Sequence, residues 1–459
     1  MTPHHPTLRN DVRLPVSPAG GRSIVVGLGR TGLSCARYLQ SRGVNFAVTD
    51  SRPSPPESAA LDKLAPDAEL RFGWFDESLL DGAAQVIASP GVSVKEPFLV
   101  KAAARGIPII GDIELFVREA QAPIAAITGT NGKSTVTTLV GLMANAAGRR
   151  AIAGGNLGRP ALDLLDDPVP DLYVLELSSF QLETTLSLRA AAAAVLNVTP
   201  DHMDRYQTLE EYAAAKARIF QRCHAAIVNM DDVAVRLMPF QTAPVFGFSL
   251  HADPAADYYT QAQGDDVILM RGRERMIAMS ELKIAGLHNA ANALASLAMC
   301  DALELPRAPC LQALREFPGL PHRSQWVADV KGVRFVDDSK GTNVGATLAA
   351  VAGMPGTLVV IAGGQGKGQD FTPLAQAFRN KVRHVVLLGQ DAKLIDAALQ
   401  GIATTQFAKD MNEAVALAAH AARPGETVLL SPACASLDMF RDYSHRGEVF
   451  AAAVRGLQA

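Results

Sequence analysis

The chain contains 459 residues, of which 48% are hydrophobic and 19% are charged, and its formal net charge is −3. A chain of this length exceeds one ordinary hydrophobic core and predicts about two to four packed domains. The small negative charge argues against a general nucleic-acid-binding protein, which would carry a clustered basic excess. An anionic substrate would therefore have to be held by local donors.

Cysteine usage and hydropathy indicate a cytoplasmic protein without a membrane partner. The five cysteines are scattered and include no C-x-x-C pair, which is typical of free thiols in a reducing compartment. No stretch reaches the roughly 18 uninterrupted apolar residues that a membrane span requires. Residues 1–20 lack the apolar segment of a signal peptide, and we interpret them as a short flexible extension.

Short apolar runs alternate with helical patterns along the chain, which is typical of parallel α/β sheets. The first block is predicted to contain a helix from about 33 to 41 and strands at 23–26, 46–50, 86–88 and 107–110. The second block is predicted to contain strands at 124–128, 172–177, 193–198 and 226–229. A small antiparallel insertion is predicted from about 246 to 284, followed by a helix after His288.

A third block follows the PGLP segment at 318–321, with predicted strands at 333–337, 358–362, 384–388 and 427–430. We therefore predict three consecutive α/β domains. The first domain with its N-terminal extension would cover residues 1–112, the central domain 113–319 and the third domain 320–459.

The first glycine loop is Gly27–Gly32, a full G-x-G-x-x-G after a predicted strand, with Asp50 18 residues beyond Gly32. This fingerprint places a pyrophosphate at a helix N-terminus. From the residues alone it fits NAD(P), another diphosphate nucleotide such as UDP, or an ordinary glycine turn.

The second glycine loop is Gly129–Ser134 (GTNGKS), between a predicted strand and a predicted helix. Backbone N–H groups in such a loop cradle phosphate oxygens, Lys133 would face the β- and γ-phosphates, and Ser134 could ligate Mg²⁺. Ile127 stands where the strict P-loop pattern has its first glycine, so a simple glycine turn is the alternative. Two phosphate-binding loops in one chain favour ATP together with a second, nucleotide-linked substrate.

Further motifs accompany this loop: GGNLG at 154–158, LELSSFQLE at 175–183, NVTPDHMDR at 197–205, AKARI at 215–219, GLHNAANAL at 286–294, GLPHR at 319–323, DSKGTNVG at 338–345, GGQGK at 363–367 and LSPACASLD at 430–438. Together with TGTNGKS at 128–134 they resemble the Mur ligase family, which shares its phosphate loop with folylpolyglutamate synthetase. Within the family they are similar to the members that add D-glutamate. The resemblance runs from about residue 24 to the end of the chain.

The resemblance implies a Rossmann-like UDP-binding domain, a P-loop ATPase-like ATP-binding domain and a Rossmann-like domain that binds the amino acid. It implies ATP- and Mg²⁺-dependent ligation of D-glutamate to UDP-N-acetylmuramoyl-L-alanine through an acyl-phosphate and a tetrahedral intermediate. Both steps bring anions together, so cations must neutralise them. The reaction belongs to cytoplasmic peptidoglycan precursor synthesis, and through it to cell shape and division. We expect a monomer without nucleic-acid or membrane partners.

The resemblance also assigns residues. The catalytic residues would be Lys133, Glu176, His202 and Lys216, and the magnesium ligands Ser134, Glu176, His202 and Lys216 as a carbamate. ATP would contact Gly129, Thr130, Asn131, Gly132, Lys133, Ser134, Thr135, Asn289, Asn292, Arg323 and Asp338. The UDP-substrate would contact Gly29, Thr31, Asp50, Ser51, Arg52, Ser89, Gly91 and Asn156. D-Glutamate would contact Thr342, Lys367, Ser436 and Tyr443. The chain departs from the family pattern at Gly341, Gln365 and Tyr443, where relatives often carry alanine, aspartate and phenylalanine.

Other interpretations stay open on the residues alone. Glu176 could cap a helix, His202 could be a structural loop histidine, and Lys216 could be a solvated lysine on an alanine-rich helix. Another ATP-dependent amino-acid ligase, such as an L-alanine-, diaminopimelate- or lysine-adding enzyme or folylpolyglutamate synthetase, would share most motifs. An NAD-dependent dehydrogenase would explain the first glycine loop but would leave Lys133, Glu176 and Lys216 without roles. A non-catalytic nucleotide sensor is a third alternative.

Overall fold

The structure is a computed structural model that describes residues 21–240, 243–264, 266–284 and 286–457. Three sheets of five, nine and six strands follow one another along the chain. The predicted flexible extension at 1–20 lies outside the described residues. Three α/β units are therefore confirmed as the architecture, while the boundaries after residues 112 and 319 stay predictions.

The first sheet is fully parallel, in the order β3-β2-β1-β4-β5. Its strands are β1 (Arg22–Val26), β2 (Phe46–Asp50), β3 (Glu69–Phe72), β4 (Ala83–Ala88) and β5 (Ile109–Ile110). The helices are α1 (Arg30–Ser41), α2 (Ser58–Leu64), α3 (Pro97–Ala104) and α4 (Asp112–Glu119), with a 3₁₀ helix at Glu77–Leu80. The strand order changes direction at β1, and open α/β sheets bind ligands at the carboxyl ends of the strands beside such a point.

The second sheet runs in the order β14-β13-β12-β11-β10-β9-β6-β8-β7. Its strands are β6 (Ile124–Thr128), β7 (Ala151–Gly155), β8 (Leu172–Glu176), β9 (Ala192–Val195), β10 (Ala226–Asn229), β11 (Val245–Ser249), β12 (Tyr258–Gln263), β13 (Asp266–Arg271) and β14 (Glu274–Ala278). The helices are α5 (Lys133–Ala146), α6 (Ser179–Glu183), α7 (Leu209–Ala217), α8 (Val233–Arg236), α9 (Leu287–Ala302) and α10 (Arg307–Glu316), with 3₁₀ helices at Ala161–Asp166, Arg218–Phe220 and Met279–Glu281.

The predicted antiparallel insertion is correct only in its later part. β11 pairs with β10 in parallel, and β12 pairs with β11 in parallel, so both extend the main sheet. Antiparallel pairing begins between β12 and β13 and continues to β14. The turns that connect these last three strands contain Gly264 and Gly272 at φ 61° and 52°, a conformation that glycine adopts without strain.

The third sheet runs in the order β15-β16-β20-β17-β18-β19, and only the β15–β16 hairpin is antiparallel among its pairs. Its strands are β15 (Gln325–Val330), β16 (Val333–Asp337), β17 (Leu358–Ala362), β18 (Val382–Leu387), β19 (Thr404–Phe407) and β20 (Thr427–Leu430). The helices are α11 (Val344–Gly353), α12 (Pro373–Phe378), α13 (Ala392–Ala398), α14 (Met411–Ala421) and α15 (Tyr443–Gly456).

The accuracy of the predicted strands depends on their place in the sheet. Six predictions match the observed ranges of β2, β6, β10, β16, β17 and β20. The four strands that the sequence pattern missed are β3, β7, β15 and β19, and each lies at an edge of its sheet. These strands are half-exposed, so they lack the continuous apolar run of a strand that is buried on both faces.

The structure also bears on the state of the cysteines and on membrane-spanning helices. All five cysteines are free thiols, as their spacing predicted. Within the described ranges, none of the helices combines the length and the apolar character needed to cross a bilayer.

Candidate active site

The second glycine loop connects β6 to α5, which is the strand–loop–helix context that the sequence predicted. Gly132 caps α5 with φ 84°, and a Cβ atom there would lie 2.3 Å from Oδ1 of Asn292, so the position requires glycine. The loop is fastened to the segment after β9. Thr130 N donates to the carbonyl of Asn197 at 2.9 Å, and Asn131 N donates to Oδ1 of Asn197 at 2.8 Å.

Lys133 begins α5 and turns back over the loop. Its Nζ donates to the carbonyl oxygens of Gly129 and Thr130, each at 2.8 Å. Burial lowers the pKa of Lys133, and the nearby carboxylates of Glu176 and Asp201 oppose that shift. The cation is therefore held in a low-dielectric position, where its interaction with an anion is strengthened.

Glu176 ends β8 beside this lysine and is 3% exposed. Its Oε1 accepts from Nδ2 of Asn156 at 2.7 Å, whereas its Oε2 is buried without a hydrogen-bond partner. Burial would raise the pKa of Glu176, but the charge of Lys133 and the nearby polar side chains of Ser134 and Asn156 outweigh it, and the pKa is lowered. An ionised carboxylate with a free buried oxygen is suited to a hard cation.

His202 lies on the loop after β9 with φ 57°, and its ring packs edge-to-face on Phe180 with a centroid distance of 4.8 Å. Burial lowers the pKa of His202 to about 4, so the imidazole is neutral near pH 7. A neutral imidazole has a nitrogen lone pair, which is the form that binds a metal ion.

Lys216 is 1% exposed on α7, so its interpretation as a solvated surface lysine is wrong. Nζ donates to the carbonyl of Gly129 at 3.0 Å and lies 4.3 Å from the centroid of the Tyr212 ring. Burial lowers the pKa of Lys216 well below its usual value, and Lys133 lowers it further. The neutral amine is the nucleophilic form that carbamate formation requires.

Three side chains of the third unit contact the second glycine loop and the loop after β9. Arg323 donates from Nη2 to the hydroxyl of Ser134 at 2.7 Å, and Lys367 Nζ lies 2.5 Å from Oδ1 of Asp201. Asn343 Nδ2 donates to Asn131 Oδ1 and to Asp201 Oδ2, each at 3.2 Å. Residues that are up to 212 positions apart in the chain therefore meet at one place.

A cavity of about 260 Å³ lies between the loop, the start of α9 and the third sheet. Seven of the residues predicted to contact ATP line it: Asn131, Gly132, Thr135, Asn289, Asn292, Arg323 and Asp338. The predicted pair on α9 is bonded together, with Nδ2 of Asn292 donating to Oδ1 of Asn289 at 3.3 Å. Burial raises the pKa of Asp338 to about 7, against the hydrogen bonds from Ser431 and Ser324 that lower it.

A second cavity, of about 610 Å³, lies at the carboxyl ends of the first sheet. All eight residues predicted to contact the UDP-substrate line it: Gly29, Thr31, Asp50, Ser51, Arg52, Ser89, Gly91 and Asn156. Asp50 accepts from Arg52 through both oxygens and from the N–H of Leu28 at 2.7 Å. Burial opposes ionisation of Asp50, but these hydrogen bonds prevail and lower its pKa. Asn156 belongs to the second unit and donates to Glu176, so it connects this cavity to the phosphate loop.

Three domain families match the chain. The Mur ligase MurD-like N-terminal domain matches residues 21–111, the Mur ligase middle domain 127–300, and the Mur ligase glutamate ligase domain 322–434. A UDP-N-acetylmuramoylalanine--D-glutamate ligase of Nitrosococcus oceani is 52% identical over 96% of this chain and 98% of its own length. The ligase of the same name from Hahella chejuensis is 50% identical over 94% and 98%. This chain belongs to the Mur ligase family.

Solved Mur ligases share the fold at low sequence identity. The UDP-N-acetylmuramate-alanine ligase of Thermotoga maritima aligns with a TM-score of 0.60 and 19% identity, over 95% of this chain and 100% of the other. The MurF ligase of Thermotoga maritima in complex with ADP aligns with a TM-score of 0.59 and 16% identity, over 96% of each chain.

In this Mur ligase, the four residues predicted to contact D-glutamate lie on three loops and the start of α15. Lys367 reaches the loop after β9 through Asp201. The N–H of Thr342 donates to the carbonyl of Lys340. The ammonium of Lys340 lies 3.9 Å from the centroid of the Tyr443 ring. Ser436 is buried and its carbonyl accepts from two N–H groups farther along the chain.

Some residues of the site were missed from the sequence. His288 and Lys340 line the smaller cavity, and burial lowers the pKa of Lys340 to about 8. Both lie inside the motifs GLHNAANAL and DSKGTNVG, within two positions of an assigned residue. That closeness is the sequence signal that could have identified them. Arg446 is 1% exposed and donates to the carbonyls of Ser339 and Cys434, which joins two loops of the site. Its position on α15, more than one hundred residues from Ser339, gives no local signal.

The described ranges hold no group of three His, Cys, Asp or Glu side chains that is close enough to bind a metal ion. The predicted magnesium set is of a different kind, because it combines Glu176 and His202 with a serine hydroxyl and a modified Lys216. The orphan Oε2 of Glu176 is the observation that fits this set.

Proposed function

We propose that this chain ligates D-glutamate to UDP-N-acetylmuramoyl-L-alanine, using ATP, in cytoplasmic synthesis of the peptidoglycan precursor. The observation that carries the proposal is the path from the larger cavity to the phosphate loop. Asn156 lines that cavity and donates to Glu176, which lies beside Lys133. The names of the relatives that are about half identical over nearly the whole chain support the choice of substrates.

The UDP-substrate would occupy the cavity of the first sheet. The glycine loop at the N-terminus of α1 offers backbone N–H groups and a positive dipole end to the diphosphate. Arg52 lies at the rim of the cavity and donates to both oxygens of the Asp50 carboxylate, so this carboxylate is already paired. A nicotinamide dehydrogenase would use this carboxylate for a ribose, so its engagement favours the ligase.

ATP would occupy the smaller cavity, with Asn289 and Asn292 beside the adenine and the phosphates over the loop. Lys133 and Arg323 supply two cations where the γ-phosphate meets the substrate carboxylate. In the first step a carboxylate oxygen of the L-alanine forms a bond to the γ-phosphorus, and the bond from phosphorus to the β–γ bridging oxygen breaks. These cations stabilise the charge that develops in that step.

Ser134, Glu176, His202 and Lys216 as a carbamate would hold Mg²⁺, which would supply positive charge to the phosphates. Oxygen donors suit this hard cation, and the free oxygen of Glu176 provides one. The neutral amine of Lys216 would add CO₂ and lose a proton, which converts a buried amine into an anion.

D-Glutamate would bind between the third sheet and the loop after β9, which carries Asp201 and His202. Lys367 would pair with a side-chain or α-carboxylate, and Thr342, Ser436 and Tyr443 would complete the pocket. The amine then attacks the acyl-phosphate carbon to form a tetrahedral intermediate. Its collapse breaks the bond to phosphate, and the nitrogen loses a proton to solvent, which leaves the new amide.

We further propose domain boundaries after residues 112 and 319, and a monomeric enzyme. The support for a monomer is that one chain supplies both cavities and the loops that connect them.

The test is phosphate release from ATP and Mg²⁺ with UDP-N-acetylmuramoyl-L-alanine, comparing D-glutamate, L-glutamate, L-alanine and no amino acid. We expect release with D-glutamate only. Lys133→Ala should abolish it, whereas Lys393→Ala, which removes an exposed lysine on α13, should leave it unchanged. Turnover with another amino acid alone would overturn the substrate, and saturable micromolar nicotinamide binding without turnover would overturn the reaction. Phosphate release that never responds to any substrate would favour a nucleotide sensor.

A further inference from the structure

Arg205 lies where the first unit meets the second, three residues after His202. Its guanidinium donates from Nη1 to the carbonyl of Pro90 at 2.6 Å and from Nη2 to the carbonyl of Val92 at 3.2 Å. Nη2 also donates to Oε2 of Glu183 at 2.9 Å. The Arg205 side chain is 11% exposed, and the ligase reaction proposed above gives it no role.

The two carbonyls belong to a segment that lines the larger cavity. Residues 89–92 (the rim loop) follow β4, and all four of them line that cavity. The hydroxyl of Ser89 donates to the carbonyl of Gly27 at 2.7 Å, which holds the rim loop on the first glycine loop. A nucleotide in the cavity would therefore contact the rim loop.

The same arginine also supports His202. Its Cζ lies 3.9 Å from the centroid of the Phe180 ring, and the Phe180 ring packs on the imidazole of His202. The N–H of Arg205 donates to the carbonyl of His202 at 2.9 Å, so Arg205 closes the turn that carries the histidine. One side chain thus connects the wall of the larger cavity to the surroundings of His202.

We propose that Arg205 is a positioning residue that transmits occupancy of the larger cavity to the imidazole of His202. A ligand on the rim loop would fix the carbonyls of Pro90 and Val92, and these would fix the guanidinium. The guanidinium would then hold the Phe180 ring and the turn at His202 in one orientation. This role rests on the proposed function, which places a nucleotide in the larger cavity and His202 in the reaction centre.

The shape of arginine suits this role. A guanidinium presents its N–H donors in a rigid planar fork, so it can bond two carbonyls and a carboxylate while its face stacks on a ring. A lysine ammonium is a point charge without a flat face. Arg205→Lys therefore keeps the positive charge beside Glu183 and removes the connection between the rim loop and Phe180.

The charge of Arg205 also has a structural role, which limits the choice of variant. The side chains of Arg205 and Glu183 are 11% and 15% exposed, so the ion pair is mostly buried. Removal of one partner from such a pair leaves the other charge buried without compensation. Arg205→Ala should therefore lower the stability of the protein, and Arg205→Lys is the informative change.

A second ion pair between the same two units supplies a matched control. Nζ of Lys95 lies 3.3 Å from Oε2 of Glu211 on α7, and the two side chains are 56% and 41% exposed. Exposed ion pairs contribute little free energy. Lys95→Gln therefore removes a connection between these units without changing the rim loop or the guanidinium.

The experiment follows His202 by NMR while UDP fills the larger cavity of the full chain. UDP lacks the muramoyl-alanine part of the substrate, and His202 is not among the described residues that line this cavity, so direct contact is avoided. The histidines are labelled with ¹³C at Cε1, and the His202 signal is identified by its loss in His202→Gln. Neither metal nor ATP is added.

We expect UDP to shift the His202 signal in the parent and in Lys95→Gln, and not in Arg205→Lys. Calorimetry should show similar UDP affinities for all three proteins. A shift in Arg205→Lys equal to that of the parent would overturn the proposal, as would an unmoved signal in the parent at saturating UDP. Loss of the shift in Lys95→Gln would also overturn it, because the effect would then not depend on the guanidinium.

Two further measurements complete the test. Partners that orient a metal-binding histidine typically contribute 10- to 100-fold to activity, so kcat for phosphate release should fall by about that factor in Arg205→Lys and stay unchanged in Lys95→Gln. A normal kcat in Arg205→Lys would overturn the proposal. If Arg205→Lys does not fold, Phe180→Leu replaces it, and an undiminished UDP-induced shift in that variant would overturn the proposal.

Binding of UDP to the parent separates this role from the proposed function. Normal UDP affinity with an unmoved His202 signal would reject the role of Arg205 alone. Absence of UDP binding to the parent would count against the proposed function, and the role of Arg205 would fall with it.

Discussion

Asp338→Asn should stabilise the ligand-free protein, and the gain should grow with pH. Asp338 is buried, with Oδ1 accepting from Ser324 N at 3.0 Å and Oδ2 from the Ser431 hydroxyl at 2.8 Å. An asparagine can keep both contacts, because its oxygen accepts from Ser324 and its amide donates to Ser431. The Ser431 hydroxyl can then donate to Oγ1 of Thr347, 3.1 Å away.

The magnitude follows from the raised pKa. Burial raises the pKa of Asp338 from 3.8 to about 7, which corresponds to about 4 kcal/mol. Below pH 3.8 both folded and unfolded states are protonated, and the carboxyl costs nothing. As the pH rises to 7 the unfolded state ionises first, so the wild-type protein loses stability. The variant should be about 2 kcal/mol more stable than wild type at pH 5 and about 4 kcal/mol at pH 8.5.

Urea unfolding at these two pH values measures the difference. The chain has two tryptophans, so a Trp74→Phe background leaves Trp326 on β15 as the reporter of the third sheet. Asp410→Asn is the matched control, because asparagine caps a helix as well as aspartate and α14 should be unaffected. A gain that is equal at both pH values, or a loss at pH 8.5, would refute the reasoning. ATP binding should weaken in Asp338→Asn, since this residue lines the nucleotide cavity.

Three further predictions concern activity. Lys216→Ala should lower turnover on the order of 100-fold, and short carboxylates that mimic the carbamate should restore part of it; full activity without an additive would contradict the carbamate. Lys133→Ala should lower phosphoryl transfer on the order of 10²- to 10³-fold while calorimetry shows unchanged binding of the UDP-substrate; loss of both would indicate misfolding. Tyr443→Phe should keep the KM for D-glutamate, because it keeps the aromatic ring that contacts the Lys340 ammonium. Tyr443→Leu, which removes the ring, should raise the KM about fivefold. Equal KM values in the two variants would argue against that contact.

The sequence located the candidate site better than it described its environment. The eight residues assigned to the UDP-substrate share one cavity, and seven assigned to ATP share another. These residues lie in motifs whose glycine turns place backbone N–H groups at strand ends, and that relation is local. Lys216 shows the limit. The alanine-rich helix around it carries no sign that α7 packs its lysine against Gly129, 87 positions away.

The chain itself determined the central strands and the two phosphate loops, because continuous apolar runs and glycine spacing act over a few residues. Only the tertiary structure decided the edge strands, which need a neighbouring strand more than an apolar run. It also decided the contacts that complete the site. Arg323 reaches Ser134 and Lys367 reaches Asp201 across 189 and 166 positions. Such contacts arise when separate sheets pack together, and no local pattern of residues encodes the distance between them.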